Sequence, residues 1–172
     1  MYKRQEIEPL LQKHPKLSEK SELVHTSDII SNDEKPSQAL RKGKNSSMRL
    51  SINAVKELKV DAAVSCGNTG ALMAMSKLVL RTLPCIDRPA ITSVFPTIKD
   101  RCVLLDLGAN IDCNADNLVQ FAIMGDAFAK VILNKKDPSI GILNVGSEDV
   151  KGSETVKAAA NELREGDYPV SY

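Results

Sequence analysis

Tryptophan is absent, and aromatic residues make up 3% of the 172 residues. A chain so poor in rings offers few platforms for stacked bases, which argues against single-stranded nucleic acid as a ligand. Charge of one sign is missing too. There are 23 basic and 22 acidic residues, a formal net charge of +1, so no global field draws in a polyanion or an anionic membrane. The four cysteines, Cys66, Cys85, Cys102 and Cys113, form no CxxC pair, and His14 and His25 are the only histidines. That inventory is too scattered for a zinc site and fits free thiols in a reducing compartment. No apolar run is long enough to span a bilayer. The start, Met1-Tyr2-Lys3-Arg4, leads into charge and not into the apolar core of a signal peptide. The expectation is a soluble, cytoplasmic protein with no metal, no cofactor and no nucleic-acid partner.

What is present is ordinary globular composition, 42% hydrophobic and 26% charged, enough for one core and one domain over residues 1–172. Helical spacing runs through residues 3–13 around Ile7, Leu10 and Leu11, despite Pro9. Residues 23–25 make a short strand candidate. A polar tract over 31–47 reads as a long loop with one helical turn near Gln38. Ser46 or Ser47 caps a helix through Met48, Ile52, Val55 and Leu58. Apolar strands are expected at 60–64, 90–95, 102–107 and 140–145. Between them lie helices to about Leu80, over 117–133, and from a cap at Ser153 to Arg164. Residues 168–172 resemble the start of another strand. Strands alternating with amphipathic helices predict an α/β fold with a mostly parallel sheet covered on both faces.

In such folds ligands lie beyond the carboxyl ends of strands. Three strand exits are rich in glycine, asparagine and charge: Cys66-Gly67-Asn68-Thr69-Gly70, Asp106-Leu107-Gly108-Ala109-Asn110, and the run from Asn144 and Gly146 to Lys151 and Gly152. Glycine lets backbone approach a ligand closely, and the first N–H groups of the following helix have no partner within it. Lys151, just ahead of a helix, supplies a positive charge for phosphate or carboxylate, although a single lysine is more often merely solvated. Asp106 is read equally as a hydrogen-bonded structural carboxylate or as a working one. Cys66 stands where a helix dipole would lower its pKa, but no base adjoins it, which disfavours covalent catalysis. A nucleotide-binding module would need a ribose-binding acid at the end of the next strand. Phe95-Pro96-Thr97 offers none.

Six ordered blocks over residues 44–152 resemble the PlsX-type phosphate acyltransferases of bacterial phospholipid synthesis. They are Lys44-Asn45-Ser46-Ser47-Met48, Ser65-Cys66-Gly67-Asn68-Thr69-Gly70-Ala71-Leu72-Met73-Ala74, Arg88-Pro89-Ala90, Leu104-Leu105-Asp106-Leu107-Gly108-Ala109-Asn110-Ile111-Asp112-Cys113, Gln120-Phe121-Ala122-Ile123-Met124-Gly125, and Gly141-Ile142-Leu143-Asn144-Val145-Gly146 with Lys151-Gly152. The resemblance implies transfer of a fatty acyl group from acyl carrier protein to inorganic phosphate, giving acyl phosphate for a membrane acyltransferase. It implies a three-layer αβα sandwich like that of phosphotransacetylases and isopropylmalate dehydrogenases. It also implies a homodimer associating peripherally with the inner face of the membrane.

On that reading Asn68, Asn110 and Lys151 carry catalysis. Gly67, Thr69, Gly70, Asp106, Gly108, Asn144 and Gly146 hold phosphate or substrate. Arg41, Lys42, Lys44 and Arg49, the densest basic cluster, dock the acidic carrier protein. The chain departs from the family in lacking its opening acidic glycine loop and its later strands, so it corresponds to about the middle half. Ser147 replaces a usual Glu, and Cys66 a usual Ala or Gly. The alternative is an inactive fragment that retains only dimerisation or carrier-protein binding.

Overall fold

A computed structural model describes residues 4–146, 148 and 151–172. The departure at Ser147, and Asp149 and Val150 of the third loop, lie outside the described residues. The chain divides into two compact units, Met1–Arg81 and Thr82–Tyr172.

The first unit is helical. Its elements are α1 (Arg4–Gln12), α2 (Pro15–Ser18), α3 (Pro36–Lys42), α4 (Ser47–Lys56) and α5 (Thr69–Leu80). Proline opens α2 and α3, where its missing N–H costs nothing and its fixed φ is already helical. Ser46, fully buried, caps α4: its hydroxyl accepts from Arg49 N–H and donates to the Gly43 carbonyl at 2.7 Å. Ile30, Ala39, Met48, Ile52, Ala71, Met75 and Val79 form the core, drawn from α3, α4, α5 and the loop before α3. Gly43 ends α3 against this core; a Cβ there would stand 2.7 Å from the Ala39 carbonyl oxygen and 2.9 Å from the Met75 methyl.

The second unit holds β1 (Thr92–Pro96), β2 (Arg101–Leu105), α6 (Ala115–Ile132) and α7 (Glu154–Glu165). The strands pair antiparallel, Val94 opposite Val103, in a two-stranded sheet. An Asn114–Asn117 capping box starts α6, and Ser153 caps α7 by accepting from Val156 N–H. Val119 and Ala122 of α6 pack with Ala159 and Leu163 of α7.

The α/β class therefore stands, as helices with a small sheet, but the expected parallel pairing does not describe this ribbon. Residues 97–100 join β1 to β2, closed by Thr97 and Asp100 bonding to each other. A link that short allows only a hairpin, since a parallel crossover needs a dozen or more residues. The strands expected at 23–25, 60–64 and 140–145 do not form. Val64 is 90% exposed and Leu143 91%. An apolar run becomes a strand only where a neighbour accepts its backbone bonds, and among the described residues none flanks these segments. One parallel bridge, Ser139 to Ser171, is the exception, with Ile140 N–H donating to the Ser171 carbonyl at 2.7 Å.

Candidate functional site

The glycine loop of the first unit is built around Asn68. Its Oδ1 accepts from Ala71 N–H at 2.9 Å, capping α5. Its Nδ2 donates to the carbonyls of Ser31, Asn32 and Glu34 at 3.1, 3.0 and 2.8 Å. Both ends of the carboxamide are thus engaged by the protein, pinning the 31–34 loop to the start of the helix. Thr69 and Gly70, both exposed, form the first turn ahead of that capped amide. Gly67 N–H donates to the Ser65 hydroxyl. A Cβ on Gly70 would meet Pro36 at 3.0 Å, so the small residue lets α3 and α5 approach. Of the basic cluster, Arg41 and Lys42 end α3, Lys44 follows it, and all three are exposed; Arg49 on α4 is half-buried and bonds Asn53.

In the second unit Asp106 ties two segments together. One carboxylate oxygen accepts from Ile91 N–H at 2.7 Å. The other accepts from Asn110 N–H at 2.7 Å and from its Nδ2 at 3.2 Å. Asn110 Nδ2 also reaches the Pro89 carbonyl. The peptide between Leu105 and Asp106 is cis, and Gly108 has φ of 89° with open space around it. Asp106 and Asn110 border a cleft of about 660 Å³ whose walls are mainly apolar, among them Val103, Leu118, Phe121, Ala122 and Ile142. Cys113 lies at this cleft. Burial, then the nearby Asp106 charge, pushes its thiol pKa up, against a smaller opposing effect of Arg88.

A second cavity, about 510 Å³ and polar, is bordered by Asn144, Gly146, Glu148 and Lys151 from the third loop and by Lys157 and Arg164 from α7. Asn144 Nδ2 donates to the Lys151 carbonyl at 3.2 Å, and its Oδ1 accepts from Val145 N–H. Gly152, with φ of 94°, is required: a Cβ there would lie 2.5 Å from Asn144 Oδ1. Ile142 and Val156 border both cavities, so apolar cleft and polar cavity share a wall.

A family model described as "Fatty acid synthesis protein" matches residues 2–170. The chain belongs to this family. Among curated relatives, a phosphate acyltransferase of Paramagnetospirillum magneticum is 54% identical over 166 residues, 96% of this chain and 47% of the relative. One from Rhodospirillum centenum is 56% identical over 158 residues, 92% of this chain and 44% of its own length. A third, from Nitrosococcus oceani, is 57% identical over 141 residues, 82% and 42% respectively. The chain spans about half the length of the curated relatives it matches.

Within this member of the fatty acid synthesis protein family, the residues singled out by sequence fall into three places. Gly67, Asn68, Thr69 and Gly70 sit together in the first unit. Asp106 and Asn110 border the apolar cleft, with Gly108 in the loop between them. Asn144, Gly146 and Lys151 border the polar cavity. Lys157, Asn161 and Arg164, outside the loop motifs, also line that cavity. Their i, i+4, i+7 spacing on a helix already visible in the sequence was the available signal. Among the described residues no cluster of His, Cys, Asp and Glu is arranged to hold a metal ion.

Proposed function

We propose that this chain carries the phosphate-handling part of an acyltransferase that moves a fatty acyl group from acyl carrier protein to inorganic phosphate. The observation behind this reading is the shared wall at Ile142 and Val156. It sets an apolar cleft, suited to an acyl chain, beside a cation-lined cavity suited to phosphate. The phosphate acyltransferases more than 50% identical to this chain point the same way.

In the proposed reaction a phosphate oxygen attacks the thioester carbonyl, and a C–O bond forms as the carbonyl becomes an oxyanion. The C–S bond then breaks, and the phosphate proton passes to the departing thiolate. Products are acyl phosphate and the carrier thiol. The Lys151 ammonium offsets phosphate charge in the polar cavity, and the Asn144 loop holds it there. Within the first unit, the exposed first turn of α5, Thr69 and Gly70 after Gly67, is proposed to offer backbone N–H groups to an anion. Within the second, Asn110, whose N–H and Nδ2 bond Asp106 and Pro89, is proposed to hold the loop at the apolar cleft in shape. Asn68 and Asp106 contribute by fixing those loops. Arg41, Lys42, Lys44 and Arg49 dock the acidic carrier. The three-layer αβα sandwich, the homodimer, the handover to a membrane acyltransferase and peripheral membrane association belong to the same proposal and rest on the family resemblance. No described helix is long and apolar enough to cross a membrane.

The test is acyl-phosphate formation from acyl carrier protein thioester and phosphate. Lys151→Ala is expected to lower kcat/KM by about 10²-fold, the usual scale for losing one preorganised electrostatic group. Unchanged turnover in the Asn68→Ala, Lys151→Ala double variant would remove both from the site. A folded chain without turnover favours the second reading, a binding fragment, which the coverage of about half of each relative supports.

A further inference from the structure

We infer that the outer face of α7 is a phosphate-recognition subsite in which Lys157, Asn161 and Arg164 grip oxyanion oxygens opposite Lys151. The inference rests on reading the polar cavity as the phosphate site, and it assigns α7 a role that the loop motifs do not.

Three observations carry it. First, α7 is two-faced. Ala159, Ala160 and Leu163 are buried, while Lys157, Asn161 and Arg164 repeat at i, i+4 and i+7 and border the cavity. Second, basic side chains outnumber acidic ones there: Lys151, Lys157 and Arg164 border the cavity with one acidic side chain, Glu148, among the described residues. Lys157 is also bonded to Glu154 at 3.2 Å, but Glu154 is 93% exposed, and so open a pair adds little. Cations gathered in a concave polar site repel one another until an anion enters, which makes the site selective for negative charge. Third, Arg164 is held in place. Its guanidinium lies 5.5 Å from the centre of the Tyr172 ring, an arrangement that stiffens a long side chain while leaving its N–H fork free to bind two oxygens.

The chemistry recognised is a tetrahedral phosphate group. It comes either from free inorganic phosphate or from a phosphate ester on an organic substrate. At about 510 Å³ the cavity has room for more than a bare phosphate ion, so the two sources call for separate arms.

The experiment is an amide chemical-shift titration of the ¹⁵N-labelled 172-residue chain with inorganic phosphate and, separately, with dimethyl phosphate, at constant ionic strength held with chloride. Phosphate is expected to shift the amides of Asn144, Lys151, Gly152 and residues 157–164. The Lys157→Gln, Arg164→Gln double variant is expected to weaken binding by at least about 10-fold, the scale of one lost charged hydrogen bond. Arg164 is exposed and Lys157 half-buried, and the amide spectrum outside the cavity, expected to be undisturbed, serves as the folding control. Lys157→Arg should restore most of the affinity of the corresponding single variant. Binding of inorganic phosphate alone identifies the free ion as the source; binding of both identifies an ester as well. No binding of either, or equal affinity in the double variant, overturns the subsite. If Lys151→Ala also leaves phosphate affinity and turnover unchanged, the parent reading of the cavity falls. If Lys151 matters and the α7 pair does not, only this inference falls.

Discussion

At the residue scale, several loops and helix starts are held by single polar side chains that serve two partners at once. The Ser46 hydroxyl is fully buried and serves Arg49 N–H and the Gly43 carbonyl together. Ser46→Ala removes a helix cap and leaves a buried carbonyl with one partner fewer. It should therefore cost about 1–2 kcal/mol, read as a lower denaturant midpoint at unchanged slope. Cysteine chemistry gives a second prediction. The thiol of Cys113 has its pKa raised by burial and the Asp106 charge, so its thiolate fraction at mildly alkaline pH is depressed. Iodoacetamide should label the exposed Cys66 and Cys85 first, with Cys113 lagging and catching up as pH rises. Mass spectrometry of timed digests reads the order, and early labelling of Cys113 would contradict it.

Elements were legible where the information is local. Ser46, Asn68 and Ser153 cap helices because a short oxygen-bearing side chain can reach an amide two or three residues on, a property of sequence neighbours alone. The expected start of α6 at Asn117 lies two residues late, because the capping box begins at Asn114 and Ala115 is the first helical residue. Strands were less legible. The stretch from Val60 to Val64 carries the same apolar content as β2, yet only β2 has a partner, and partnership is not written in composition. The hairpin was recoverable: the brevity of 97–100 rules out a parallel crossover. The site divided in the same way. Asn144, Gly146 and Lys151 were visible as one loop, whereas Lys157 and Arg164 join them only once α7 lies alongside.

The hairpin also carries a pH prediction. Asp100, in its turn, is bonded to Lys135 just past α6, and that bond, with the Arg101 backbone N–H and the lysine charge, holds its carboxyl below the usual carboxylate range. A depressed folded-state pKa adds stability that is complete above the unfolded pKa, and this stability is lost as pH falls through the folded one. Thermal unfolding should show Asp100→Asn slightly less stable than the parent at neutral pH and level with it once the pH is below both values. The pair is exposed, so the difference will be small and will shrink with added salt.

For the molecule as a whole, a net charge of +1 means that recognition of an acidic partner has to be local. Arg41, Lys42 and Lys44 provide the exposed cluster. On the proposed docking of acyl carrier protein, reversing all three to Glu should weaken that association markedly at low ionic strength and much less at high, because screening already removes most of the attraction there. Equal weakening at both would assign the binding to contacts other than charge. Each unit meanwhile has its own core, so damage can be directed. Met75→Ala, at a fully buried position of the first unit, should cost about 2–5 kcal/mol. Amide exchange should register that loss in α3, α4 and α5.

Asn68 is a position where a one-atom chemical change would reach the fold. Its amide nitrogen donates to three carbonyl oxygens, those of Ser31, Asn32 and Glu34. Hydrolysis of that amide to an acid, the ordinary fate of thermolabile asparagines in stored protein, would exchange the donor for a carboxylate facing three acceptors. The cap on α5 would survive the change, since an acid oxygen accepts from Ala71 as well as an amide oxygen does. The 31–34 loop would be repelled. Molecules deamidated at this position should therefore differ from fresh ones by faster proteolysis at that loop.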